Sequence, residues 1–522
     1  MYKRLEGKSF IDQVTRYGYF AEQFPDCFTS EMFANKLPEL LPLISVGKAQ
    51  KNKAKNTTAP TTLSTYKNDI SRRVLSVSNP EAFLRLSKYM RDNWEHILNI
   101  SKSPNSLSPI TFIRSYNSSE EIINCESIRE RLKAKSDFVV GIKNCIRASL
   151  GYKYRLKVDI TNCYNSLYTH SITWAICGKD LAKSYYRTSE PSTIRDMYEM
   201  GDFLDCFIRQ QKNNETNGII VGPYTSRIIS EIILVRIDQM IAGKGLKFKR
   251  YVDDYKIYFR SEAQAQASLP LIEKILNEFN LTLNTAKTEI EKYPYEIISH
   301  IKDAYDKSLK SESVFGVLNT AAQLHSKGEK GAYKYALKYL KDEPIPVDDL
   351  QIIIPTLVNI MLLDPRYSKY ITKYLKKNIS TINSETLSVV FNRELSCSLQ
   401  NELQQESLMF VQLIKDLGLL ITAENIIKIM KSDNDFAIII GLDIWKNHNK
   451  CVVRTKHEAR LINEGIKGLM RSLDGEKLSG SRWLLLYELH VHKFVSEELL
   501  PILDINDFFR KMLELGVSFY RE

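Results

Sequence analysis

Residues 247–260 read KFKRYVDDYKIYFR, and they constrain the fold more than any other stretch. Tyr255, Ile257 and Phe259 alternate with Lys256, Tyr258 and Arg260, the period of two expected of a strand with one buried face. With KFKRYV ahead of it, the pattern predicts two strands joined by a tight turn, with Asp253 and Asp254 at the tip. The tripeptide VDD recurs at 347–349, after EPIP and before a long apolar run. Carboxylates in that setting accept hydrogen bonds from the free N–H groups of a helix's first turn and oppose its dipole. Asp348 and Asp349 therefore read as a helix start.

Adjacent carboxylates at a hairpin tip repel each other and stabilise little unless they share a cation. Hard oxygen donors of this kind suit Mg²⁺, which keeps open positions for phosphate oxygens. Two such ions at a phosphoryl-transfer site need a further carboxylate from a neighbouring strand, with Mn²⁺ as the substitute ion. Asp159, at the end of the β-type run YRLKVDI and 94 residues before Asp253, meets that need. A strand-borne aspartate followed much later by an aromatic-x-Asp-Asp hairpin is the palm arrangement of nucleic-acid polymerases.

The rest of the composition agrees with an anionic partner. The 522-residue chain has room for two to four domains, a formal net charge of +11 and a pI near 9.0, a balance that favours nucleic acid. Eight cysteines without a C-x-x-C pair argue against a zinc site or disulfide framework and fit a reducing cytosol. His490 and His492 form an isolated H-x-H that reads as structural. The charged N-terminus lacks a signal-peptide core, and no window approaches 18 apolar residues. The expectation is a cytoplasmic protein with no membrane partner.

Residues 1–45 read as short helices. Residues 46–65 are polar and breaker-rich and read as a loop, with Lys48, Lys51, Lys53 and Lys55 either solvated or tracking phosphates. Helical and β signals alternate from about 140 to 300. Beyond 300 the runs DLQIIIPTLVNIMLL, SKYITKYLKKN, ESLMFVQLIKDLGLL, AENIIKIMKS and SRWLLLYELHVHKF are helical, without a strict repeat code. The fold class is α+β: a mixed region to about 150 and the palm at 151–300, followed by an all-α, repeat-like domain at 301–522.

Four segments in order resemble the bacterial abortive-infection (Abi) reverse transcriptases of the AbiK-like group, and most of all its prophage-encoded type. KVDITNCYNSLYTHSITWAICGK (157–179) is similar to motif A and NGIIVGPYTSRIISEIILVRID (217–238) to motif B. YVDD is motif C, and LTLNTAKTEI (281–290) resembles motif D. The resemblance implies that Asp159, Asp253 and Asp254 hold two Mg²⁺ ions with the main-chain carbonyl of Ile160. It implies that Tyr164 stacks under the sugar and excludes a 2′-hydroxyl, so dNTPs are the substrates, and that Lys287 protonates pyrophosphate. The competing reading of Tyr164 is a palm-core tyrosine, and that of Lys287 an exposed loop lysine. Arg72 and Arg73 are candidates to reach the triphosphate from the fingers.

Motif B departs from the G-x-P-Q-G of most reverse transcriptases: Ile220 and Val221 occupy the proline and glutamine places. Aliphatic side chains cannot make the glutamine's contacts to a template–primer. The resemblance then implies untemplated DNA synthesis primed from a protein hydroxyl in antiphage defence. The implied product is single-stranded DNA attached covalently to the protein, in a homo-oligomer whose stoichiometry, trimer or hexamer, the sequence does not give. Tyr17, Tyr19 and Tyr66 are the priming candidates, although packing suits each as well. A templated polymerase of the retron or group II intron type and a non-catalytic nucleic-acid-binding scaffold are the competing readings.

Overall fold

The computed structural model describes residues 2–7, 9–51, 56–68, 70–110, 112–114, 144–184, 192–295, 314–329, 331–340 and 347–522. Strand β1 (Tyr2–Arg4) precedes helix α1 (Phe10–Gly18), and hairpin β2 (Thr61–Tyr66) and β3 (Arg72–Val77) leads into α2 (Pro80–Asp92). The Asn79 side chain caps α2 by accepting from the N–H groups of Glu81 and Ala82. Strand β4 (Phe112–Arg114) pairs antiparallel with β1. The segment expected to be a loop at 46–65 is a 3₁₀ turn at Lys48–Lys51 and, from Thr61, a strand. TTLSTY alternates buried and more exposed positions, a half-buried edge pattern that its polar composition concealed.

The central unit is an antiparallel sheet. It comprises β5 (Tyr154–Val158), β6 (Lys247–Tyr251), β7 (Asp254–Phe259) and β8 (Glu289–Lys292), in the order β6-β7-β5-β8. Between β5 and β6 run α3 (Ser171–Cys177), α4 (Ser192–Gln210) and α5 (Tyr224–Gly243), and α6 (Glu262–Asn277) follows β7. One sheet face buries Leu156, Val158, Phe248, Tyr255, Ile257 and Phe259, and α6 packs on β5 and β7. The predicted strand–turn–strand at 247–260 is present with the expected inward set.

Beyond residue 313 the described chain is largely helical: α7 (Val347–Leu363), α8 (Ser384–Gln400), α9 (Gln404–Asp416), α10 (Ala423–Met430), α11 (Asp435–Asn447), α12 (Lys456–Ser472) and α13 (Trp483–His492). Asp348 and Asp349 fall in the first turn of α7, the helix start read from the sequence. Helix α8 packs on α9, α9 on α11 and α10 on α12. Two short strands, β9 (Ile421–Thr422) and β10 (Val452–Val453), pair in parallel and tie together the turns ahead of α10 and α12. The division placed near residue 300 falls in 296–313, outside the described residues. One continuous buried cluster includes side chains from both sides of it.

Three sets of contacts make that continuity. Gln404 and Gln405 accept from the N–H groups of Ser64 (2.7 Å) and Tyr66 (2.6 Å) along the edge of β2. Asn79 donates to the Leu478 carbonyl and the Ala59 N–H to that of Ser479, both at 2.8 Å. The tail at 517–521 threads back to the N-terminal segment. Thr29 donates to the Phe519 carbonyl (2.9 Å) and Arg521 to that of Cys27 (2.8 Å). The Phe519 ring lies 5.3–5.6 Å from those of Tyr19, Phe33 and Trp483.

His490 sits against the carbonyls of Leu486 and Pro501, and His492 against Glu488 at 3.0 Å and Glu522 at 2.8 Å. Burial disfavours a charged His492, but its bonds to Glu488 and Glu522 outweigh this and raise its pKa. A raised histidine pKa adds stability that is fully present below the unfolded pKa and is lost as pH rises through the folded one. His492→Ala should therefore lower the thermal midpoint most at pH 5.5–6. The deficit should shrink toward pH 9 in a series of melting curves.

Candidate active site

The sheet register assembles the site. Val158 pairs with Tyr255 and Tyr251 with Asp254, so the next residue of β5, Asp159, stands opposite Asp254. Lys157 pairs with Glu289, and beyond that ladder the 3₁₀ turn Thr285–Lys287 brings Lys287 to Asp159. Side chains alternate faces along a strand. Asp159 and Asp254 thus end one row on the face opposite the apolar set, with Asp253 in the turn beside them and the Lys287 ammonium on Asp159.

The hairpin carrying Asp253 and Asp254 is fixed from behind by Arg250, whose side chain is 0% exposed. Its guanidinium donates to both oxygens of Asp238 (2.8 and 2.9 Å) and both of Glu231 (3.1 and 2.9 Å), and to the Val252 carbonyl (2.7 Å). Both carboxylates belong to α5, seven residues apart on one stripe of the helix. Ser106 donates to Glu231 at 2.9 Å. The Arg250 N–H and carbonyl bond the backbone of Asn105 and Leu107.

Val252 has φ of 57°, a left-handed conformation unfavourable for a β-branched residue. A two-residue hairpin loop needs positive φ at its first central position. The Arg250 bond to the Val252 carbonyl and the Val252 N–H bond to Ser108 Oγ (2.9 Å) hold it there.

Asp159 accepts from Asn284 Nδ2 at 2.8 Å and from Lys287 Nζ at 3.1 Å, and its carbonyl accepts from the Asn284 N–H at 2.9 Å. Ile160, next along, bridges Leu283 in antiparallel pairing. Burial raises the Asp253 pKa, and the Asp159 charge adds to this. Burial, the Asp253 charge and a hydrogen bond with Asp159 push Asp254 up to about 6.

Three mutually destabilising hard-oxygen groups at one sheet end have the donor chemistry that fits a divalent cation such as Mg²⁺. Among the described residues no group of three or more His, Cys, Asp or Glu side chains converges tightly enough to enclose an ion. The cation against Asp159 is the Lys287 ammonium.

The 217–222 loop joins this site to α5. The Gly218 and Ile219 N–H groups donate to the carbonyls of Leu167 and Tyr164, both at 2.8 Å. Gly218 has φ of 76°, and a Cβ there would meet the Asn165 carbonyl oxygen at 2.6 Å. Ile220 is buried and Val221 partly so; the Val221 carbonyl accepts from Ser76 of β3 at 2.7 Å. Tyr164 is half-buried, and Ser230 of α5 donates to its hydroxyl at 3.2 Å. Arg227 donates to the Ser108 carbonyl at 2.6 Å, and its charge reaches Asp253 and Tyr164.

Other predicted residues lie apart from the aspartates. Arg72 forms a bidentate pair with Glu406 of α9 (2.9 and 2.6 Å) and also donates to Ser64; Arg73 is exposed on β3. Tyr19 is fully buried with its hydroxyl on the Ser78 carbonyl, so it offers no hydroxyl at the surface. Tyr17 is half-buried on α1, and Tyr66 lies under the Arg366 guanidinium at 5.2 Å. Lys48 and Lys51 pair with Glu199 and Asp202 of α4; Lys53 and Lys55 lie outside the described residues. The residues that pattern reading missed are the ones holding the site: Arg250, Glu231, Asp238, Asn284 and Ser108. Two carboxylates seven apart on an otherwise apolar helix were the available signal.

Comparison with known proteins covers the region that carries this sheet. Residues 105–310 match the family Reverse transcriptase (RNA-dependent DNA polymerase). A reverse-transcriptase family domain, of nucleotidyltransferase type, is therefore present. No curated protein matches the chain. Among solved structures it is similar to apo telomerase from Candida tropicalis truncated from its C-terminal domain. That match has 13% identity and a TM-score of 0.30, over 52% of this chain and 56% of that one. It is also similar to telomerase from Candida albicans in complex with the TWJ fragment of telomeric RNA. Here identity is 11% and the TM-score 0.28, over 71% of this chain and 70% of that one. The chain thus spans little more than half of the first of these structures. Among the described residues no helix is long and apolar enough to cross a membrane.

Arg250→Ala leaves two buried carboxylates without their cation and should cost about 3–5 kcal/mol, seen as a large loss in denaturant midpoint. Asp254 behaves oppositely. Its folded pKa lies above the unfolded value, so the native state loses stability as pH rises from about 4 to about 6. In EDTA, Asp254→Asn should raise the thermal midpoint at pH 7.5 by on the order of 1 °C. The gain should vanish at pH 4.

Proposed function

We propose that the chain is a DNA polymerase of reverse-transcriptase type that extends a strand without a template from a protein hydroxyl, in abortive-infection defence against phage. The observation that carries the polymerase reading is Asp159 aligned with Asp254 beside Asp253, with the Lys287 ammonium on Asp159. Asp159, Asp253 and Asp254 would hold Mg²⁺ with the Ile160 carbonyl; a bound ion there neutralises triphosphate charge and lowers the pKa of the attacking hydroxyl. Lys287, exposed and already on Asp159, is placed to give a proton to the departing pyrophosphate. Tyr164, bonded through Ser230 to α5, is the residue against which the sugar would be selected for dNTPs.

The untemplated reading draws support from Ile220 and Val221, which offer no side-chain hydrogen bond where the wider family has Pro-Gln. Protein priming, an oligomeric assembly and the defence role follow from the motif resemblance. The matched family's own description, RNA-dependent DNA polymerase, favours a templated enzyme as the second reading.

Purification under denaturing conditions, nuclease digestion and intact-mass analysis separate these readings. A DNase-sensitive, RNase-resistant adduct on the wild type, absent from an Asp253→Ala, Asp254→Ala variant, is the expected result, and peptide mapping then names the priming residue. Incorporation of dNTPs by the purified protein only when an RNA template is added would instead establish the templated enzyme. Lys287→Ala should slow single-turnover incorporation by about 10²–10⁴-fold with little change in dNTP affinity.

A further inference from the structure

The row of side chains next to the aspartates has a composition that the proposed metal chemistry does not use. The same register that aligns Asp159 with Asp254 aligns Lys157 with Lys256, Lys256 with Lys249 and Lys157 with Glu289. Three lysines therefore stand side by side across β6, β7 and β5, two residues along from the carboxylates and on the same face. Like charges directly opposite each other in adjacent strands are destabilising.

Their partners are unequal. Lys157 is drawn toward Glu291 and Glu289. Lys249 donates to the Pro104 carbonyl at 2.7 Å, and burial together with the Lys247 charge lowers its pKa. Lys256, between them, is half-buried and makes no ion pair or hydrogen bond among the described residues. The next row along is closed off, because Arg155 pairs with Glu291 and stacks on Tyr295 at 4.4 Å, while Tyr258 is buried.

We infer that Lys256, with Lys249 beside it, is a seat for one phosphodiester of the nucleic-acid strand whose end lies at Asp159 and Asp254. The inference rests on the polymerase reading for the position of that end. Two residues of antiparallel strand span about 6.8 Å, on the order of one extended nucleotide step. The seat therefore takes the phosphate just behind the strand terminus. A phosphate placed there pairs the unpartnered ammonium and relieves the repulsion along the row. Both lysines act through charge alone, so the seat holds any sequence equally.

The test uses the full chain in EDTA and a dye-labelled single-stranded deoxythymidine dodecamer, with affinity measured by anisotropy over a salt series. Lys256→Ala should weaken binding about two- to fivefold and reduce the slope of log K against log salt by about 0.7, the value for one phosphate contact on a single strand. Lys256→Arg should keep both. The thermal midpoint of Lys256→Ala without oligonucleotide should equal or exceed that of the wild type, since a repulsion has been removed.

An unchanged slope in Lys256→Ala overturns the inference, as does a loss confined to the KM for dTTP, which would put the triphosphate on this lysine instead. A wild type that incorporates no dNTP but shows the Lys256-dependent slope overturns the polymerase reading and leaves the strand seat standing. A wild type that polymerises with no Lys256 effect on binding does the reverse.

Discussion

Arg250 is the contact on which the candidate site depends. A guanidinium with no exposure brings β6, the turn after it and two carboxylates of α5 into one hydrogen-bonded unit. Buried charges are tolerated only when their geometry is nearly complete; here both carboxylates and the guanidinium fork are matched. The turn inherits that rigidity, since Val252 is held in an unfavourable backbone region by the same arginine and by Ser108. Asp253 and Asp254 can stand against Asp159 despite their repulsion because the backbone presenting them has little freedom to withdraw.

The meeting of the three carboxylates was legible from sequence because period two and paired acids are local signals. KFKRYV and YKIYFR announced the hairpin, and Asp159 at the end of a strand run supplied the third carboxylate. Their supports were not legible, because each is a long-range pairing. Asn284 reaches Asp159 across the register of β5 and β8, and Glu231 reaches Arg250 across a helix–sheet interface. Helix positions beyond 347 followed from apolar spacing, to within a few residues. The β2–β3 hairpin was hidden by its threonines and serines, whose polarity suggests loop even when alternate positions are buried. The two-residue strands β9 and β10 carry no pattern that a sequence could display.

The helical region is more than an appendage to the central sheet. Gln404, Gln405 and Glu406 are consecutive residues opening α9, and all three grip the β2–β3 hairpin, two through its backbone and one through Arg72. The hairpin in turn touches the loop before α5, where Ser76 donates to Val221. The hairpin is thus tied to the loop before α5 through paired backbone groups, and to the helical region through side chains that take its edge groups out of competition with solvent.

The return of Phe519 to the cluster of Tyr19, Phe33 and Trp483 also has a consequence in time. Synthesis runs from the N-terminus, and N-terminal parts ordinarily fold first as they emerge. Here the first aromatic segment has no complete surroundings until residues 517–521 have been read. A ribosome halted before them leaves Tyr19 and Phe33 without the ring that closes over them. The N-terminal segment therefore completes its packing only after the helical region has been made.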